Sequence, residues 1–204
     1  MLTPVQLSAL KTDINANTNT IELVTGVPIQ IKNVLNNQDN NAEIANWYNK
    51  THADFNVFRS NVPIEDIWDN VTGANYTPSD AITGANSSQW SACSLACQGK
   101  QFNLQLLMAN RATFNAGKIK QRTTLNDATQ NLPAGAAFAL VSGGWSNILI
   151  ILRRLAKNIE KLFAVQTSGV GVNSGDALGT TTNPALLVFE GLVSGDDITS
   201  ARNS

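Results

Sequence analysis

The sequence predicts an all-α fold: a helical-bundle body, a flexible linker and an extended, β-prone C-terminal arm. Three observations lead there. The stretch Trp145 to Phe163, WSNILIILRRLAKNIEKLF, repeats Trp145, Ile148, Leu152, Leu155, Ile159 and Leu162 at spacings of three and four, the signature of a helix with one apolar stripe. Helix-start signals recur along the chain, each a capping or proline residue followed by acidic or amide side chains. After Val165 the composition turns to Gly, Ser, Thr and Asn through Asn183, followed by the β-rich run ALLVFEGLV. The expected division is therefore a body over 1–165, a linker over 166–183 and a docking arm over 184–204.

The elements follow in order. Thr3-Pro4 with Gln6 starts a helix whose apolar side is Val5, Leu7, Leu10 and Ile14, and the Asn-Thr stretch Asn15 to Thr20 ends it. Val27-Pro28 begins a short helical pattern through Ile31, Val34 and Leu35, and Asn36 to Asn41 reads as a polar loop. Ala42 to Phe58 reads as two short helices bending near Thr51-His52. Pro63 opens PIEDIWDNV, with Glu65 and Asp66 in the first turn, where the helix dipole favours negative charge, and Gly73 closes it. Tyr76 to Ser87 is turn-rich. Ser87 or Ser88 caps a long helix through Trp90, Cys93, Cys97, Phe102 and Leu107, extending past Arg111 to about Asn131. Pro133 to Gly144 connects to the Trp145 helix, expected at the centre of the core. Ser194 with Asp197 caps a last turn, Gly195 to Arg202.

Composition narrows the function. The chain of 204 residues is 43% hydrophobic and 14% charged, with a formal net charge of −1, against a usual charged share of about 25%. Such a surface has no long-range attraction for DNA or an anionic membrane. No charged-then-apolar leader and no apolar run near the ~20 residues that span a bilayer is present, so the expectation is a soluble, unexported protein. Two cysteines make no disulfide framework.

The chemistry-bearing residues are few. His52 is the single histidine, so a Ser-His-Asp constellation requires it, with Asp54 or Asp66 as orienting acid, and no nucleophile elbow accompanies it. Cys93 and Cys97 share a helical face, but a structural zinc site takes about four ligands; they read as buried thiols. Glu65, Asp66 and Asp69 read as helix-start acids. The Gly169 to Gly175 run, GVGVNSG, lacks the ending of a phosphate loop. Arg153, Arg154, Lys157 and Lys161, with Lys118, Lys120 and Arg122, read as a solvated basic face. No catalytic residue, cofactor or metal is expected.

Four segments together resemble one family: TPVQLSALKTDI (Thr3 to Ile14), FRSNVPIEDI (Phe58 to Ile67), LAKNIEKLFA (Leu155 to Ala164) and the ending LLVFEGLVSGDDITSARNS. This is similar to the virion head-to-tail connector proteins of tailed bacteriophages, the adaptor or neck proteins. The resemblance implies a mostly helical subunit, made in the host cytoplasm and resident in the virion neck. Its copies would form a ring, dodecameric in this family, beneath the portal, with DNA passing through the lumen without sequence-specific binding and with no membrane involved. The partners would be the portal and tail or neck proteins. The arm would engage the adjoining ring through Leu186, Leu187, Val188, Phe189, Glu190, Leu192, Val193 and Arg202, as an unpaired strand seeking a partner, and would add little to the stability of the body; the alternative is that it folds back onto the subunit's own helices. The rival readings are a capsid-decorating or tail-completion protein, and a small hydrolase using His52.

Overall fold

The computed structural model describes residues 2–36, 38–72, 99, 102–103, 106–107, 109, 111–129, 139–140 and 144–204. In chain order the elements are α1 (Pro4–Ala16), β1 (Thr20–Glu22), β2 (Pro28–Gln30), a 3-10 turn (Ile31–Asn33), α2 (Gln38–Asn49), β3 (Thr51–Phe58), β4 (Val62–Pro63), α3 (Ile64–Trp68), β5 (Val71–Thr72), β6 (Thr113–Phe114), α4 (Ile119–Thr129), β7 (Ala139–Leu140), α5 (Gly144–Ile151), β8 (Arg153–Lys157), α6 (Asn158–Phe163) and α7 (Gly195–Asn203). Among the described residues the strands pair two by two, as β1-β2, β3-β8, β4-β6 and β5-β7. The fold is thus mixed α/β, and the expected all-α bundle is corrected.

The chain divides into two compact units, the first formed by Met1–Val57, Leu155–Gln166 and Ala185–Ser204, the second by Phe58–Arg154 and Thr167–Pro184. In the first, α1 begins as its sequence dictates: the Thr3 hydroxyl accepts from the Gln6 N–H at 3.3 Å, and the Gln6 side chain accepts from the Thr3 N–H at 2.9 Å, satisfying two otherwise unpaired donors. Leu10 and Ile14, one turn apart, are buried, while Val5 is 80% exposed. Leu10 and Ile14 share a core with Ile31, Ile44, Tyr48, Ile159, Val193, Ile198 and Ala201. The C-terminal helix α7 packs on α1 and α2, and its start is the expected capping box, Ser194 with Asp197.

The second unit has its own core, of Phe58, Val62, Ile67, Phe114, Leu125, Ile148 and Leu152 among others. Here α3 starts after Pro63 with Glu65 and Asp66 in its first turn, as the sequence indicates, and packs against α5. Buried Arg122 on α4 binds three carbonyls: Val170 (2.8 Å), Ser168 (2.6 Å) and Ala116, and its guanidinium lies 4.0 Å from the Phe58 ring centroid. The Gly-rich stretch after Val165 therefore contributes hydrogen-bonded turns to this unit. Gly169 and Gly171 sit at φ +87° and +80°, a backbone region that a Cβ disfavours.

Several expected elements change type. The Trp145 to Phe163 helix is three elements, α5, β8 and α6. Leu152 N–H still reaches the Ile148 carbonyl at 3.0 Å, but the Leu152 carbonyl accepts from Arg59 N–H at 2.9 Å, which takes up the acceptor a continuing helix needs. Its apolar stripe serves two cores: Ile148 and Leu152 belong to that of the second unit, Ile159 to that of the first, and Leu155 is 41% exposed. The helix expected from Val27-Pro28 is instead a hairpin strand plus a 3-10 turn, with Ile21 opposite Ile29 and Gly26 at φ +77° in the connection. The loop expected at Asn36 to Asn41 gives way to α2 at Gln38. In place of two helices over Ala42 to Phe58, α2 is followed by strand β3. The helix expected to run past Arg111 is interrupted by β6 and by a turn in which Asn115 accepts from Gly117 N–H at 2.9 Å. Gly73 and the Tyr76 to Ser87 turns lie outside the described residues. Of the Cys-bearing helix, Cys93 and Cys97 lie outside them too, while Gly99, Phe102, Asn103, Leu106 and Leu107 are helical.

Candidate functional site

The segment leading into α7 holds most of the expected partner-binding residues, and hydrogen bonds fix its two ends, through the backbone at one and through a side chain at the other. Ala185 N–H donates to the Asn56 carbonyl at 3.0 Å, and Leu186 exchanges two 2.9 Å hydrogen bonds with Val165. At the far end the Asn49 side chain clamps Val193, accepting from its N–H at 2.9 Å and donating to its carbonyl at 2.8 Å. Between these anchors Phe189 stands edge-on to Phe163, with ring centroids 5.6 Å apart, and Lys157 Nζ donates to the Gly191 carbonyl at 3.2 Å. A Cβ at Gly191 would meet the Phe189 ring at 3.3 Å. Past the bridges at Ala185 and Leu186 the segment bends at Val188 and Gly191, so it is not the continuous strand its composition suggests.

The eight expected contact residues separate by environment. Val193 is buried in the core of the first unit, Leu186, Leu187 and Phe189 are half-buried, and Glu190 is exposed. Arg202 is turned to the body, donating to the carbonyls of Val34 and Leu35 at 3.0 Å each and to Asn41 Oδ1 at 2.8 Å, so it serves as a brace on α7. Val188 and Leu192 remain, 63% and 64% exposed. Two large aliphatic side chains held outward on an anchored segment leave apolar surface in water; the arrangement suits contact with another surface.

His52 lies elsewhere on the first unit, at the start of β3. Lys161 Nζ is 2.8 Å from its Nε2, and the Asp54 backbone N–H is 3.2 Å from its Nδ1. Both neighbours are donors, while a neutral imidazole offers a single acceptor nitrogen. Burial, and then the Lys161 ammonium, hold the ring below its usual pKa, with Asp54 acting the other way. A lysine and a backbone amide thus occupy the positions that a nucleophile and an orienting carboxylate hold in a catalytic triad. Of the proposed orienting acids, Asp66 is instead 3.9 Å from Arg59.

The remaining candidates also take other roles. Asp69 caps the C-terminal end of α3, its N–H donating to the Glu65 carbonyl at 3.0 Å. Among the described residues no three His, Cys, Asp or Glu side chains are grouped to hold a metal ion. The Gly169 loop offers carbonyls to Arg122, whereas a phosphate cradle presents N–H groups. The basic residues do not make one face: Arg122 is buried, and Arg153 and Lys157 bind the carbonyls of Thr181 and Gly191. Among the described residues no helix is long and apolar enough to cross a membrane.

Residues that the sequence did not single out include the Asn49 clamp and a partly buried trio, while Arg122, read as part of a solvated face, is buried. In this trio the Tyr48 hydroxyl donates to Asp13, and Asn17 Nδ2 lies 3.2 Å from the same carboxylate and 3.4 Å from the Tyr48 hydroxyl. Burial, with the Asp13 hydrogen bond next, pushes the Tyr48 pKa well above the ordinary phenol value. Asn residues are so frequent here that no spacing marks these out. Comparison with protein-family models, curated proteins and solved structures finds no match to this chain.

Proposed function

We propose that this chain is a non-enzymatic structural subunit of a tailed-bacteriophage virion, a head-to-tail connector that docks on portal and neck proteins and surrounds the DNA path as a ring. The observation that carries the reading is the outward pair Val188 and Leu192. They lie within the C-terminal sequence that is one of the four segments bearing the family resemblance, on a segment pinned at Ala185, Leu186 and Val193. A rigid segment presenting apolar side chains loses little conformational entropy on docking. The ring would form through heterologous contacts that close. The weak net charge leaves apolar contact as the main source of affinity, in keeping with a permanent assembly.

The test is to locate the protein in purified particles by antibody labelling and electron microscopy. Label at the neck is the expected result. Label over the shell or at the tail tip would replace the connector with a capsid-decorating or tail-completion role, and absence from particles would end the virion reading altogether.

A further inference from the structure

A groove of about 710 Å³ opens on the first unit, lined by the Asp13–Asn17–Tyr48 trio and by Trp47, His52 and Lys161 among others. Its volume falls within the about 300–1,000 Å³ of small-molecule sites, but its lining does not follow their mostly apolar pattern. Polar side chains dominate, and several retain unused hydrogen-bonding capacity. Asn158 donates its amide to the Trp47 carbonyl at 2.8 Å, which leaves its oxygen as an acceptor. The hydroxyls of Thr18 and Thr51 have no hydrogen-bond partner among the described residues. Lys161 spends one of its three donors on His52.

These groups select a ligand class. Displacing water from so many polar atoms is unfavourable unless the ligand re-bonds nearly all of them, which excludes an apolar molecule. The lining sets one cation, Lys161, against one carboxylate, Asp13, so neither an anion nor a cation gains a net attraction. What fits is a neutral molecule dense in groups that both donate and accept, with C–H faces for the Trp47 indole. We propose that this groove binds a neutral saccharide, with Lys161, Asn158 and the threonine hydroxyls meeting its hydroxyl groups and Trp47 packing on a ring face. The inference does not rest on the connector reading, and each survives the failure of the other.

The experiment is a titration of the full-length, 15N-labelled protein with maltose and, separately, N,N′-diacetylchitobiose, followed through backbone amides and the tryptophan indole N–H signals, with sodium acetate as the anion control. Saturable shifts confined to residues 13–19, 47–53 and 158–162 are expected with at least one sugar, and none with acetate. Because Trp47 also packs on the core, the decisive variants are at exposed positions: Lys161→Ala combined with Thr51→Ala should weaken the sugar response at least about tenfold with an unchanged spectrum elsewhere. No response to either sugar, a response that this double variant leaves intact, or equal shifts with acetate would overturn the proposal.

Discussion

His52 and Arg122 show how burial and neighbours decide what a charged side chain does. Because His52 sits below its ordinary pKa in the folded chain, the unfolded chain binds more protons over the interval just under the usual value near 6.5. Stability therefore falls as the pH is lowered through that interval. Ring proton shifts followed against pH should give a midpoint below the usual histidine value, and Lys161→Ala should move it upward by removing a facing cation; an unmoved midpoint would assign the whole shift to burial. Arg122 is the opposite case, a buried guanidinium drawn down to about 10 by burial and still charged at neutral pH. Its hydrogen bonds to Ser168 and Val170 tie the glycine-rich stretch to α4, and a third, to Ala116, anchors the guanidinium. Arg122→Met would leave these carbonyls without their donor, and should cost roughly 2–4 kcal/mol while raising amide exchange at 168–172. Full protection there in the variant would show that the turns hold themselves.

At the scale of elements, the stripe from Trp145 to Phe163 teaches most. Apolar spacing of three and four is satisfied equally by one long helix and by two short ones that feed different cores, and periodicity carries no information about the strand between them. Leu152→Ala should cost about 2–5 kcal/mol as a cavity in the second unit's core. Leu155→Ala, at a 41% exposed strand position, should change stability by only about 0.5 kcal/mol; comparable losses in denaturant titrations would restore the continuous helix. Helix starts were legible because capping is local chemistry: Thr3 with Gln6, Ser194 with Asp197, and the acids after Pro63 all appear where the sequence places them. Strand β3 was also legible in principle. In THADFNVF the polar His52, Asp54 and Asn56 alternate with Ala53, Phe55 and Val57, the period-two pattern of a half-buried strand, and buried Phe55 and Val57 confirm that register. The two-residue strands β4 to β7 are set by long-range pairing, to which a local reading of sequence is blind. The same holds for the candidate contact surface: the apolar character of Leu186 to Val193 can be read directly, but which side chains face water depends on Asn49, Val165 and Asn56, far away in sequence.

For the molecule as a whole, the C-terminal residues have two duties that must be tested apart. A projecting arm would be removable without loss of stability, yet Val193, Ile198 and Ala201 lie in the core of the first unit, and deleting Pro184 to Ser204 would unfold that unit whatever its partners. Point changes at the outward side chains separate the duties. Val188→Asp with Leu192→Asp alters two side chains more than 60% exposed, so the thermal midpoint should shift by no more than about 1 kcal/mol of stability corresponds to. If these side chains dock on a neighbouring virion protein, the same variant buries two unpaired carboxylates in an apolar contact, an arrangement costing several kcal/mol, and incorporation into particles should be lost. Apolar docking also implies that incorporation of the unaltered chain changes little with ionic strength, since screening weakens charge pairs and leaves hydrophobic contact intact. Particles assembled with normal amounts of the stable, double-substituted protein would rule out Val188 and Leu192 as the docking surface.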